Sequence, residues 1–160
     1  MTAIRLANGF GAPQQADVDR WTLVTNDLCR QAVVNGRMTL QSSGHQLRNF
    51  ITLEDVARAV DHLLTLAPDA CGDGVFNLGS EKSRSILTMA ELIVSRCPQI
   101  LGRTVPLDRP TAEPDEVIVP LDYDVTRLLK TGFTLTNRFE AEIDATLRLC
   151  RHAFGRAVEA

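Results

Sequence analysis

Chemistry in this sequence would have to come from a phosphate-cradling turn, a nucleophile with its base, or a set of metal-binding side chains. Gly9-Phe10-Gly11 is the nearest approach to a phosphate-cradling turn. A dinucleotide site needs such a turn between a strand and a helix, where backbone amides and the helix N-terminus hold the pyrophosphate. Here Gln14 stands where the third glycine belongs, and no apolar-periodic helix opens behind it. Cys71-Gly72-Asp73-Gly74 precedes an apolar run instead of following one and reads as a turn. No serine has the Gly-x-Ser-x-Gly spacing of a nucleophile elbow. Cys29, Cys71, Cys97 and Cys150 lie 42, 26 and 53 residues apart, too far for a zinc knuckle or a redox pair, and read as small buried hydrophobes. His45, His62 and His152 show no metal-binding spacing. The chain is thus expected to carry no catalytic residue, no metal site and no cofactor site of its own.

The elements that would position any site alternate between strands and helices. Ile4 to Leu6 is a short apolar strand emptying into the turn-rich Asn8 to Pro13. A helix is expected between Arg20 and Asn35, stopped by Asn35-Gly36. Met38 to Gln41 reads as a strand, and Gly44 to Leu47 turns the chain toward Arg48-Asn49-Phe50-Ile51. Thr52 with Asp55 then caps a helix whose stripe is Val56, Val60, Leu63, Leu64 and Ala67. Val75 to Leu78 is a strand. Thr88 with Glu91 repeats the capping spacing for a helix ending at Pro98. Four prolines between Pro106 and Pro120 mark a long surface loop, and Phe139, Ile143, Leu147, Cys150 and Phe154 step at helical spacing from an Asn137 cap to Gly155. This pattern is that of a mixed α/β domain.

The 160 residues, 44% hydrophobic and 23% charged, suit one domain spanning 1–160. A net charge of −3 argues against a general nucleic-acid binder. No apolar run reaches the length of a membrane span, and Met1 to Leu6, with Arg5 inside it, lacks the layout of a cleavable signal. The expectation is a cytoplasmic protein without nucleic-acid or membrane partners.

Three motifs stand in a telling order: Arg5-Leu6-Ala7-Asn8-Gly9-Phe10-Gly11, then Gln46-Leu47-Arg48-Asn49-Phe50-Ile51 leading into Glu54-Asp55-Val56-Ala57, then Phe76-Asn77-Leu78-Gly79. The series resembles the C-terminal, substrate-binding half of NAD-dependent sugar-nucleotide epimerases and dehydratases, in the extended short-chain dehydrogenase/reductase superfamily. The resemblance runs from about Ile4 to Arg148. It implies the C-terminal part of a Rossmann-like fold without the glycine-rich cofactor half. It also implies that Asn8 and Arg48 contact the diphosphate of a nucleotide-sugar, a guanidinium offering paired donors to phosphate oxygens. Arg109 and Asp115 match a later Arg and Asp near the nucleotide, at a longer spacing than the family's.

Departures from the family pattern accompany the match. Asn49 replaces an aspartate, removing a charge that could orient Arg48, and Asn26-Asp27-Leu28 lies near the family's Asn-Leu pair but out of register. The intact family's NAD turn and Tyr-x-x-x-Lys pair have no counterpart: Tyr123 is followed four residues on by Arg127 and reads as structural. The first reading is therefore the nucleotide-sugar-binding portion of such an enzyme, a fragment or one piece of a split enzyme, not catalytic alone. The alternatives are a non-catalytic nucleotide-sugar or protein-binding module, or a vestigial fragment. On the first reading the strand at Ile4, Leu6 and Phe10 would be uncovered, so a homo-oligomer or a separate cofactor-binding chain is the expected partner.

Overall fold

The computed structural model describes residues 2–155; Met1 and residues 156–160 lie outside them. Strands β1 (Ala3–Leu6) and β2 (Asn8–Phe10) follow one another and change partner at Ala7. β1 pairs in parallel with β6 (Val75–Leu78), and β2 in parallel with β5 (Phe50–Thr52). Two further pairs are β3 (Met38–Thr39) with β8 (Leu107–Asp108), parallel, and β4 (Leu47–Arg48) with β7 (Arg84–Ser85), antiparallel. The helices are α1 (Val24–Val34), α2 (Leu53–Thr65), α3 (Ile86–Leu101), the short α4 (Thr126–Leu129) and α5 (Phe139–Phe154).

Helices α1, α3 and α5 enclose the main core, where Leu28, Cys29, Met89, Ile93, Cys97, Ile143, Leu147 and Cys150 are buried. Arg96 on α3 locks to Asp144 on α5 through two hydrogen bonds of 2.8 and 2.7 Å. A second, smaller core forms where Ile51, Ala59, Leu63, Phe76, Leu78, Leu128 and Phe133 pack around β6 and α2. The cysteines read as buried hydrophobes are so at Cys29, Cys97 and Cys150, while Cys71 is only partly covered. Burial pushes the Cys97 thiol up to about 11 and the Cys150 thiol to about 12.

Several local expectations need correction. Helix α3 passes through Pro98 and ends at Gly102, which adopts the left-handed conformation at φ 73°. The proline removes one helical N–H, but Cys97 and Ile100 on either side are buried, so tertiary packing outweighs the local break. The cap of α3 is Ser85, whose hydroxyl accepts from the Thr88 amide at 3.0 Å; Thr88 is therefore already inside the helix. Asn137 is not the cap of α5 but takes a positive φ of 51° one residue before Arg138, the N-cap. Leu107–Asp108 adds a strand to the proline-rich loop, because β3 offers it an edge.

Helix α2 begins as expected, with the Thr52 hydroxyl accepting from the Asp55 amide at 3.1 Å. Its stripe does not behave as a core stripe. Ala59 and Leu63 are buried, whereas Val60 is open and Leu64 is 80% exposed. The same face carries Ile4 of β1, and together they line a depression of about 630 Å³. Conversely Phe10, expected at the uncovered face, is 2% exposed and packs against Phe50 and Phe139 with ring centroids 6.4 and 5.1 Å away. β2 pairs with β5 and carries Phe10 into the core, while β1 pairs with β6 and stays exposed.

Candidate functional site

The three sequence motifs converge at the carboxyl ends of β1 and β6, the end of a parallel sheet where ligands bind. Backbone N–H groups alternate between the two edges of a strand. Ala7 accordingly donates to Leu78 on the β6 side at 2.9 Å, and Asn8 to Asn49 on the opposite side at 3.0 Å. The Asn8 side chain adds a second bond to the same Asn49 carbonyl at 3.0 Å. The residue preceding Asn49 is Arg48, so the folding of β1 and β2 brings the first motif against the second.

Asn49 itself joins the second motif to the third. Its amide nitrogen donates to the Ser80 carbonyl at 2.7 Å and its oxygen accepts from the Ser80 N–H at 2.9 Å. Gly79 makes this approach feasible: a Cβ there would lie 2.3 Å from the Asn49 oxygen and 2.9 Å from the Tyr123 ring. The Asn49 side chain therefore clamps the 79–80 turn, its amide committed to the Ser80 backbone. Arg48 donates to the Leu47 carbonyl at 3.0 Å and lines a small groove with Glu116, Val117 and Val119.

Asn8 lines a separate cleft of about 800 Å³, walled by Gly9, Gly11, Asp19, Arg20, Asn26 and Leu53 among others. Asn26, passed over in the sequence because it is out of register, is a buried clamp: it donates to the Gly11 carbonyl at 3.0 Å and accepts from the Gly11 N–H at 3.2 Å. No spacing rule links residues 11 and 26, so only the packing of α1 reveals this role. Arg109 donates to the Ser43 carbonyl at 3.1 Å, and Glu116, on the same loop, accepts from the Ser43 hydroxyl and faces His45 Nδ1 at 3.4 Å. These contacts strap the loop beside Arg48. Asp115 is exposed on the loop and makes no recorded ion pair or hydrogen bond among the described residues. Asn8 is thus bonded to the residue after Arg48 while the two line separate depressions, Arg109 is tied to Ser43, and Asp115 stands apart.

The Gly9 to Gly11 turn does not fit a dinucleotide pyrophosphate. Irregular chain, not a helix, follows it until Val24. A Cβ at Gly11 would fall 2.0 Å from a carboxylate oxygen of Glu142, so an acid already occupies that side of the turn. Burial pushes the Glu142 carboxyl up, while amides of Glu54 and Ala12 draw it back. Tyr123 is committed to structure: its hydroxyl donates to the Arg5 carbonyl at 2.7 Å, and burial raises its pKa. Arg127, in the place of the family's lysine, bonds Asp73 and the Cys71 carbonyl. Among the described residues no cluster of His, Cys, Asp and Glu could hold a metal ion, and no helix is long and apolar enough to cross a membrane.

No model of a known protein family matches the chain. A dTDP-L-rhamnose 4-epimerase of Burkholderia thailandensis is 30% identical to it over 106 residues, which is 64% of this chain and 28% of the epimerase. The UDP-glucuronic acid 4-epimerase of Bacillus cereus, solved with UDP-glucuronic acid and NAD, superposes with a TM-score of 0.69 at 20% identity, covering 94% of this chain and 45% of that one. An NAD-dependent NDP-hexosamine 5,6-dehydratase involved in tunicamycin biosynthesis gives a TM-score of 0.68 at 19% identity, over 94% and 46%. The ADP-L-glycero-D-manno-heptose-6-epimerase of Helicobacter pylori gives 0.65 at 22%, over 94% and 43%. The chain is similar in fold to these sugar-nucleotide epimerases and dehydratase, and it spans less than half the length of each.

Proposed function

We propose that this chain, built as the C-terminal half of a sugar-nucleotide epimerase or dehydratase, is a single substrate-binding domain that holds a nucleotide-sugar by its diphosphate. The observation that supports it is the meeting of Asn8 with the residue that follows Arg48, by two bonds to the Asn49 carbonyl. A diphosphate would lie across the ridge between the Asn8 cleft and the Arg48 groove. Arg48 supplies charged donors to its oxygens, Asn8 a neutral amide, and the strapped loop bearing Arg109 and Asp115 covers the nucleotide end.

The chemistry of the reading, oxidation of a sugar carbon with return of the hydride, belongs to a second body that brings NAD and the proton-transferring pair. Strand β1 supports such a partner. A strand in a parallel sheet is ordinarily covered on both faces, yet all four residues of β1 are exposed, with Leu6 at 51%. The N–H groups of Ile4 and Leu6 point away from β6, and among the described residues no strand pairs with that edge. A cofactor-binding chain seated there is the partner proposed, with a strand-exchanged homodimer as the other outcome of the test.

Calorimetric titration with dTDP- and UDP-sugars tests the binding reading, and sedimentation at micromolar concentration tests the assembly. Micromolar binding that needs the diphosphate is the expected result. A chain that ignores nucleotide-sugars at millimolar concentration while remaining folded would favour the non-catalytic or vestigial alternatives.

A further inference from the structure

Arg48 does not stand alone on its strand. In the antiparallel β4–β7 pair its direct partner is Arg84. Directly opposed residues of such a pair project on the same face with Cβ atoms roughly 5 Å apart, and like charges placed so repel one another. Among the described residues neither arginine makes an ion pair, and Arg84 makes no recorded hydrogen bond. The acid that shares the groove with Arg48 is Glu116, whose Oε1 accepts from the Ser43 hydroxyl and whose Oε2 lies 3.4 Å from His45 Nδ1, with no ion pair to either arginine. The strand pairing thus sets two arginines directly opposite each other, neither of them ion-paired among the described residues. Arg84 is also held in place, its Cζ lying 4.9 Å from the ring centroid of the buried Phe139. That cation–π contact fixes the position of the charge, and a guanidinium carries five N–H donors of which Arg84 commits none to a hydrogen bond among the described residues.

We propose that Arg84 is a second diphosphate-binding residue, gripping one phosphoryl group while Arg48 grips the other. The proposal rests on the nucleotide-sugar reading above and extends it to a residue outside all three motifs. Diphosphate is the ligand chemistry that fits, because it carries two linked anionic groups and each planar fork can donate to one of them. The anion would also relieve the repulsion between the paired strands, so ligand binding and the β4–β7 pairing should reinforce each other.

The test is calorimetric titration of the full chain with inorganic pyrophosphate and, separately, with a UDP- or dTDP-sugar. Parent, Arg48→Ala, Arg84→Ala, Arg84→Lys and the double alanine variant are compared, with Lys130→Ala as a control for the loss of one positive charge and circular dichroism as the check of folding. Arg84→Ala is expected to weaken at least one of the two ligands about tenfold, the size expected for a lost charged hydrogen bond, with Arg84→Lys falling between it and the parent. The double variant should lose less than the product of the single losses. If Arg84→Ala weakens neither ligand more than Lys130→Ala does, including the case in which the parent binds neither, the proposal is overturned. Pyrophosphate binding that depends on Arg84, with no nucleotide-sugar binding, would keep the arginine pair and discard the functional reading. Nucleotide-sugar binding that needs Arg48 but not Arg84 would do the reverse.

Discussion

The buried carboxylate of Asp55 reaches across the fold to Thr136, accepting from its backbone N–H and its hydroxyl, each at 2.9 Å. It accepts as well from the Asn137 N–H at 3.0 Å and from Arg58 at 2.8 Å. One side chain in the first turn of α2 thereby fixes the approach to α5. Burial alone would push the Asp55 carboxyl up, but the hydrogen bonds from Thr136, Asn137 and Arg58 outweigh it and hold the pKa below the usual carboxylate range. A depressed carboxylate stabilises the fold in full above its ordinary pKa, and this is lost as pH falls through the depressed value. Asp55→Asn is therefore expected to cost about 3 kcal/mol at pH 7 and to flatten the acid side of the stability profile below about pH 4, as read by urea unfolding over a pH series. An unchanged acid limb would show that Asp55 is not the group responsible.

Gly79 is the position where the smallest change should do most harm to the site. Its added methyl in Gly79→Ala meets the Asn49 oxygen and the Tyr123 ring, so the clamp on Ser80 must open or the ring must shift. A loss of about 1–3 kcal/mol is expected, the range of an overpacked interior. Thermal melting of the variant checks it, and an equal loss in Asn49→Ala, which removes both bonds to the Ser80 backbone, would locate the effect in the clamp.

Ligand affinity should divide unequally between the two motif residues. Arg48→Ala is expected to weaken a nucleotide-sugar ten- to a hundredfold, on the order of 1.5–3 kcal/mol for a charged hydrogen-bond donor. Asn8→Ala should cost less affinity and some stability, because its amide is bonded to the Asn49 carbonyl. Calorimetry with the variants measures both, and undiminished affinity in Arg48→Ala would remove the assignment.

The open edge of β1 has a direct readout in hydrogen exchange. The amides of Ile4 and Leu6, which face away from β6, should exchange rapidly in the dilute chain, while those of Arg5 and Ala7 are protected. Raising the concentration or adding a cofactor-binding partner should slow them. Leu64→Lys, on the exposed face of α2, should leave the melting temperature nearly unchanged and weaken any association. Slow exchange at Ile4 and Leu6 in a monomer would count against the proposed partner.

Isolated from any partner, the chain is expected to bind NAD no tighter than the millimolar range. The turn at Gly11 is filled by the Glu142 carboxylate and opens no helix. Low-micromolar binding in a calorimetric titration would contradict this.

What was legible in the sequence is what neighbouring residues settle among themselves. Thr52 with Asp55 announces the start of α2, Asn35-Gly36 follows the end of α1, and the helical spacing of Phe139 to Phe154 marks α5, because caps and periodic stripes involve groups within a few residues of one another. The order of the three motifs likewise carries the resemblance to the epimerases. The tertiary structure alone decided the rest. Apolar periodicity set Val60 and Leu64 on one stripe with Leu63, yet only Leu63 of the three is buried, and the other two line an open depression with Ile4. Phe10 was expected uncovered and is buried against Phe50 and Phe139, because the chain exchanges β6 for β5 after Ala7. Asp55 was visible as a cap residue, but its bonds to Thr136 and Asn137 span 81 and 82 residues. Arg48 stood in a motif, whereas Arg84 acquires its place only when β4 and β7 pair. A capping bond closes over three residues of chain, but these contacts depend on how distant strands and helices are stacked, which local spacing does not encode.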